Sequence, residues 1–354
     1  DHGSATYQAL TGRAHPQKSS NPPPRPSDFP TLGAVLKRVK PAASFPYTAA
    51  HLNGPALVPV LEGPGQNAGF LGREFEPLVI GDVTEGTSGL PNLDLPADLP
   101  TVRLGARRSL LGAIDDSLQR WHDNPSLKAM NVLYRQAYEL LDSPRCRQAF
   151  DLAAEPETLR DQYGRDRSGQ ACLLARRLTE AGVPLVTVFF NQSARGQDQA
   201  PGVTDAYGWD THNDIFEALK THLLPRFDRS FAALLLDLEA RGMLDETLVV
   251  CMGEFGRAPR VALEASFAGR SPGRKHWANV YSVVLAGAGV ARGGVFGQSD
   301  RIAGHAVADR VGPWDLTATI LASLGVDPAA EYSDPLDRPV PRSVGQPIHR
   351  LFQG

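Results

Sequence analysis

The chain has 354 residues, 42% of them hydrophobic and 21% charged, with a formal net charge of −3. That length buries a full core, so one large α/β domain, or one domain plus a cap, is expected. The charge balance excludes the basic stripe that a nucleic-acid partner would want, and no apolar run approaches the roughly 20 residues of a membrane span. Cys146, Cys172 and Cys251 have no metal-type spacing. Cys172 and Cys251 fall in apolar runs and read as buried free thiols, and the odd count leaves at least one thiol unpaired within the chain.

In chain order, Asp1–Leu10 reads as a loop entering a helix. Residues 17–30 are rich in Pro and Ser and form an irregular loop. Thr31–Lys40 is a predicted short amphipathic helix and Ser44–Ala50 a short strand. Residues 53–102 are loop-like, with apolar pieces such as Pro77–Ile80. From 104 to 163 the pattern is helical. One stripe runs through Leu110, Ile114, Leu118 and Trp121, another through Met130, Leu133, Ala137 and Leu140. This block is a predicted helical cap or insertion. Ser168–Ala181 then reads as a helix, Pro184–Asn191 as a strand, and Ile215–Gly242 as a long helix closed by glycine. Thr247–Met252 and Val280–Ala286 read as strands and Pro313–Leu324 as a helix. The strands are continuous apolar runs alternating with helices. The fold class is therefore α/β, a mostly parallel sheet sandwiched between helices. Ligands of such sheets bind at the carboxyl ends of the strands.

Three polar clusters lie just after predicted strands. The first is Trp209-Asp210-Thr211-His212 in a Gly/Tyr/Asp-rich loop, the second Gly253-Glu254-Phe255-Gly256-Arg257, and the third Gly273-Arg274-Lys275-His276-Trp277. Asp210, His212 and His276 form a candidate ligand set for a divalent cation (Zn, Mn, Fe or Ca). Two imidazoles and one carboxylate suit Zn, Mn or Fe and leave positions open for water or substrate. Glu254 faces the same rim, as a further metal ligand or a general base. The fork of the Arg257 guanidinium suits a phosphate or sulfate oxygen, and Arg274 and Lys275 add positive charge beside His276. Structural readings stand beside these. Asp210 also fits a turn and His212 or Asn213 a helix cap. Glu254 and Arg257 also fit a structural ion pair, and His276 a core imidazole. His222, His305 and His349 read as surface or structural residues. His15 and His51 fit either role.

The motifs ALTGRAHP, GWDTHND, MGEFGRAP, GRKHW and LGVDP, spread over essentially the whole chain, resemble the domain-of-unknown-function 1501 family. This is a set of mostly extracytoplasmic bacterial proteins similar to sulfatases and alkaline phosphatases. The resemblance implies a single alkaline-phosphatase-like domain over 1–354, with 104–163 as the cap. It also implies a periplasmic or otherwise extracytoplasmic location and a metal-dependent hydrolase acting on a phosphate or sulfate ester. Asp210, His212 and His276 match one metal site of the superfamily. The second site takes an Asp-His pair where this chain has Glu254-Phe255, and Phe255 is no imidazole. Aligning Leu10-Thr11-Gly12-Arg13 with the sulfatases puts His2 at the nucleophile position with Ser4 nearby. His2 and Ser4 are thus the candidate nucleophiles at a helix N-terminus that favours an anion, and no Cys stands there for formylglycine chemistry. The superfamily's first strand, with another metal-binding Asp, is expected upstream of Asp1. A non-catalytic cell-envelope or binding protein on a decayed hydrolase scaffold is the alternative, and mutase-like phosphotransfer a third possibility.

Overall fold

The structure is a computed structural model that describes residues 1–18, 21–58, 61–84, 105–106, 109–110, 112, 125–190 and 208–352. Helix α1 (His2–Thr11) ends at Gly12, whose left-handed backbone supplies the C-cap. Helix α2 (Leu32–Val39) follows the Pro-rich loop. Strands β1 (Ala49–Leu52) and β2 (Leu78–Ile80) come next. A helical run follows, comprising α3 (Pro125–Asp142), α4 (Pro144–Phe150), α5 (Glu157–Tyr163) and α6 (Arg167–Glu180). Ser143 caps α4 by accepting from the Cys146 N–H, with Pro144 at the first helical position. Asp166 caps α6 in the same way through Gly169.

Strand β3 (Leu185–Val188) pairs with β1, giving a three-stranded parallel sheet in the order β2-β1-β3. All four residues of β1, the central strand, are buried. Helix α6 lies against this sheet and is buried nearly all round, with Ala171, Cys172, Leu173, Leu174 and Leu178 each no more than 2% exposed. Burial on nearly every side places α6 in the interior, and its buried Arg176 is paired with carboxylates. The same core takes in Leu140, Cys146, Phe150 and Tyr163 from α3, α4 and α5. The helices from 125 onward in the predicted cap thus pack into the main core. Ile114, Leu118 and Trp121 of its first stripe lie outside the described residues. The three cysteines are free thiols, Cys146 and Cys172 buried and Cys251 half-buried.

Past the site loop, α7 (Ile215–Ala218) runs through a π-helical stretch, Leu219–Leu223, into α8 (Leu224–Ala240). Strand β4 (Val249–Cys251) leads to β5 (Gly256–Arg257), and β6 (His276–Trp277) to β7 (Val284–Ala286). A small antiparallel pair follows, β8 (Gln298–Ser299) with β9 (Ala306–Ala308). Helix α9 (Pro313–Ser323) is closed at its start by a hydrogen bond from the Gly312 N–H to Asp315. A second antiparallel pair, β10 (Glu331–Ser333) with β11 (Pro339–Pro341), completes the strands.

The mixed α/β expectation holds, but the parallel sheet is shorter than expected. Strand β4 pairs antiparallel with β7, outside the parallel sheet, and both are partly exposed, Val284 at 51%. A continuous apolar run carries no direction and no list of neighbours, so spacing alone assigned these strands to the wrong kind of pairing. Among the described residues, no helix is long and apolar enough to cross a membrane.

Candidate metal centre

Three chain segments meet at Asp210. The first is the loop before α7. Its position is fixed by edge-on aromatic contacts, with Trp209 6.0 Å from Phe227 of α8 and Phe227 5.6 Å from Phe190 just past β3. The second is the antiparallel ladder of β5 and β6, whose register sets Arg257 opposite His276. Gly256 fits there because a Cβ would run into the Val280 carbonyl oxygen. The third is the first turn of α1, which carries His2. Asn21 holds that turn by accepting from the Gly3 N–H at 2.8 Å.

The Asp210 carboxylate, 7% exposed, is ringed by nitrogen. His276 Nε2 stands 2.9 Å from Oδ1 and His212 Nε2 3.0 Å from the same oxygen. His2 Nε2 stands 3.1 Å from Oδ2, and Arg257 Nη2 3.3 Å from Oδ1. Donor atoms of His2, Asp210 and His276 all lie within 4.8 Å of one another, close enough to hold one metal ion. Two ligands on one tetrahedral zinc stand roughly 3.3 Å apart, from ligand distances of about 2.0–2.1 Å, and these nitrogens and oxygens are already near that spacing.

Unsatisfied atoms make the fit more specific. His2 Nε2 and both ring nitrogens of His212 are buried without a hydrogen-bond partner. The 3.0 and 3.1 Å approaches to Asp210 are therefore close contacts without hydrogen-bond geometry. Buried polar nitrogens left unpaired are costly and rare. Converging on one carboxylate, they are what a cation would satisfy.

The electrostatics agree. Burial alone would raise the Asp210 pKa, but the contacts from His2, His212 and His276 hold it far below the ordinary carboxylate range. Burial likewise opposes protonation of His2, yet Asp210 and Glu254 outweigh it and push its pKa up to about 9. His276 moves the other way, lowered by burial against the pull of Asp210. An unfolded chain loses the His2 proton near 6.5, before the folded, metal-free chain does. The resulting stabilisation, roughly 3 kcal/mol, is complete below pH 6.5 and is lost as the pH rises through 9. Urea midpoints of metal-free protein are expected to fall between pH 6.5 and 9, and a midpoint that stays flat or rises there contradicts this.

Aromatic rings wall the centre. Phe267 stacks face to face on His212 at 3.6 Å and 6°. Phe255 packs 5.0 Å from His2 and 4.5 Å from His276. The loop carrying Phe267 is clamped from the Asp210 segment. Asn213 donates to the carbonyls of Glu264 and Phe267 and accepts from the Glu264 N–H. Asp214 accepts from the N–H groups of Arg270 and Ser271. At the foot of this loop, a Cβ on Gly273 would overlap the His212 carbonyl oxygen. Gly273→Ala is expected to cost about 1–3 kcal/mol and to weaken metal uptake, because it pries the His212 loop from the strand bearing His276. Thermal melts with and without zinc check this; melting and a zinc-induced shift equal to wild type would contradict it.

Other predicted residues take different places. Ser4 is buried, and its hydroxyl donates to the Lys18 carbonyl at 3.0 Å and approaches the Asp1 carbonyl at 3.5 Å. Glu254 pairs with His2 and Arg257 with Asp210. Arg274 donates to the carbonyls of Ala258 and Pro259, and Lys275 meets Glu264. The N-cap of α7 is Asp214, with no side-chain capping bond, so neither His212 nor Asn213 caps it. His15 packs edge-on against Tyr7, 4.8 Å between centroids. His51 lies within β1, where burial pushes its pKa down to about 4. Both are interior residues. Sequence reasoning missed His2 as a partner of Asp210, although a histidine in the first turn of a helix beside the family's nucleophile position was the available signal. Nothing in the sequence singled out Phe267.

A family model described as a protein of unknown function, DUF1501, matches residues 1–352. The chain belongs to the DUF1501 family. No curated protein and no solved structure matches it. In this DUF1501 protein the polar groups of three distant segments converge on Asp210.

Proposed function

We propose that this DUF1501 protein is a divalent-metal-dependent hydrolase of the alkaline-phosphatase and sulfatase type, acting on an anionic phosphate or sulfate ester. One observation carries the reading. Three imidazole nitrogens stand within 3.1 Å of the Asp210 carboxylate, with a guanidinium at 3.3 Å. His2, Asp210, His212 and His276 would hold the ion, and two or more imidazoles with one carboxylate favour Zn, Mn or Fe over Ca. A bound divalent ion supplies Lewis-acid polarisation of an ester oxygen and acidifies water.

The chain's own residues supply the rest. Arg257 is 21% exposed along its side chain and its contacts reach 3.3–3.4 Å, so its fork can turn to an incoming oxyanion at little cost. The Ser4 hydroxyl is committed to a backbone carbonyl, which favours direct attack by water over a covalent intermediate on that side chain. The resemblance to extracytoplasmic proteins supports a periplasmic or other extracytoplasmic site of action.

A second reading keeps the metal and drops the catalysis. Phe255 stands where the resemblance to the superfamily implies a second-site imidazole, and its ring packs against His2 and His276. That supports a metal-stabilised binding or cell-envelope protein. A panel of phosphate and sulfate mono- and diesters, assayed with zinc, manganese or iron, separates the two. Turnover lost in both Asp210→Ala and Arg257→Ala is expected for the hydrolase. Metal retention with no turnover on any ester would replace it with the second reading.

A further inference from the structure

We infer that Glu254 is a positioning residue for His2 and does not itself bind the metal. The inference rests on the metal-centre reading above and deepens it. His2 uses its two ring nitrogens differently. Nε2 faces Asp210 at 3.1 Å without a hydrogen bond. Nδ1 stands 2.7 Å from Glu254 Oε1 in good hydrogen-bond geometry. Imidazoles that bind metals almost always give the other ring N–H to a carboxylate, carbonyl or water, which fixes the tautomer and raises the basicity of the ligating nitrogen. His2 has that arrangement, with Glu254 as the carboxylate.

Two further observations place Glu254 outside the ligand group. Among the described residues the close-set donors are His2, Asp210 and His276; His212 stands 3.0 Å from an Asp210 oxygen beside them, whereas Glu254 pairs with the other ring nitrogen of His2. The turn between β4 and β5 that carries Glu254 also carries Phe255, whose ring packs on both His2 and His276. The turn thus presents a carboxylate to one nitrogen of His2 and an apolar face to the rings. The superfamily position that holds a metal-binding acid here holds one turned to a histidine. The centre is then built for one metal ion.

The test uses zinc alone as the probe and the full chain. Stoichiometry and dissociation constant are measured by competition with a chromophoric chelator, for wild type, Glu254→Ala, Glu254→Gln, His2→Ala and the double variant His2→Ala/Glu254→Ala. One zinc per chain is expected in wild type. Glu254→Ala should keep that stoichiometry and bind about 10–100-fold more weakly. Glu254→Gln, which retains an acceptor oxygen of the same reach, should recover part of the loss. The double variant should bind within about twofold of His2→Ala, since Glu254 acts only through His2. A further large loss in the double variant, or two zinc ions in wild type falling to one in Glu254→Ala, would make Glu254 a ligand and overturn the inference. Unchanged affinity in Glu254→Ala overturns it as well. A wild-type chain that takes up no zinc fails the underlying metal reading, a distinct result.

Discussion

Asp210→Ala is expected to destabilise the metal-free protein by about 3–5 kcal/mol, the cost of removing one partner from a buried charged group. The carboxylate faces His2 at 3.1 Å and accepts from His276 and Arg257, and its loss leaves the half-buried Arg257 guanidinium with the carbonyls of Trp209 and Arg274. The proton on His2 loses one of its two carboxylates, so the pKa of about 9 should drop toward the ordinary histidine range. Urea unfolding gives the first quantity and the pH dependence of the midpoint gives the second. A variant as stable as wild type, with an unchanged pH profile, would mean that Asp210 organises nothing.

The second large effect lies away from the site. The Arg176 side chain is wholly buried in α6, and it meets Glu155 at 2.7 Å, Glu180 at 2.6 Å and Asp237 at 2.9 Å. Tyr163 donates its hydroxyl to Asp237 at 2.9 Å, and burial beside that charge keeps the phenol protonated well above its ordinary range. Arg241 reaches Asp237 as well, at 2.7 Å. Arg176 therefore ties α6 to α8 and to the segment before α5 that carries Glu155. Arg176→Ala leaves two buried carboxylates short of a cation and is expected to cost about 3–5 kcal/mol. Arg176→Lys should recover only part, because a single ammonium cannot reproduce a planar fork facing three acceptors. Chemical denaturation of the two variants measures this. A loss below about 1 kcal/mol in Arg176→Ala would show that Arg177, which also pairs with Glu155, and Arg241 suffice.

Much of the centre was legible in the sequence because its parts are local. Asp210 and His212 lie two residues apart, and Arg257 and His276 sit in short motifs whose strands pair in register. The helices were legible for the same reason, whereas the strand expected at Ser44–Ala50 lies at Ala49–Leu52. Helices α2, α6 and α9 fall within a residue or two of their predicted limits, since the N-cap Asp166 and Pro313 at a first helical position mark two of them locally. What escaped was set by packing between distant segments. His2 and Glu254 are 252 residues apart, and no spacing rule joins them. The stack of Phe267 on His212 depends on the clamp made by Asn213 and Asp214, which reads in sequence only as turn chemistry. Arg176 and Arg177 end an apolar run, where charge says that a partner is needed but not which one. The direction of β4 against β7 was equally hidden, because Val249–Cys251 presents the same apolar pattern to a parallel or an antiparallel neighbour.

The proposed metal ion among the nitrogens around Asp210 is tested most directly by the metal content of purified wild-type protein and of Asp210→Ala after equilibrium dialysis against zinc, manganese, iron or calcium. One tightly held ion per wild-type chain and none in Asp210→Ala is the predicted result. A wild-type chain that retains none of these ions, or an Asp210→Ala chain that retains as much as wild type, would contradict it.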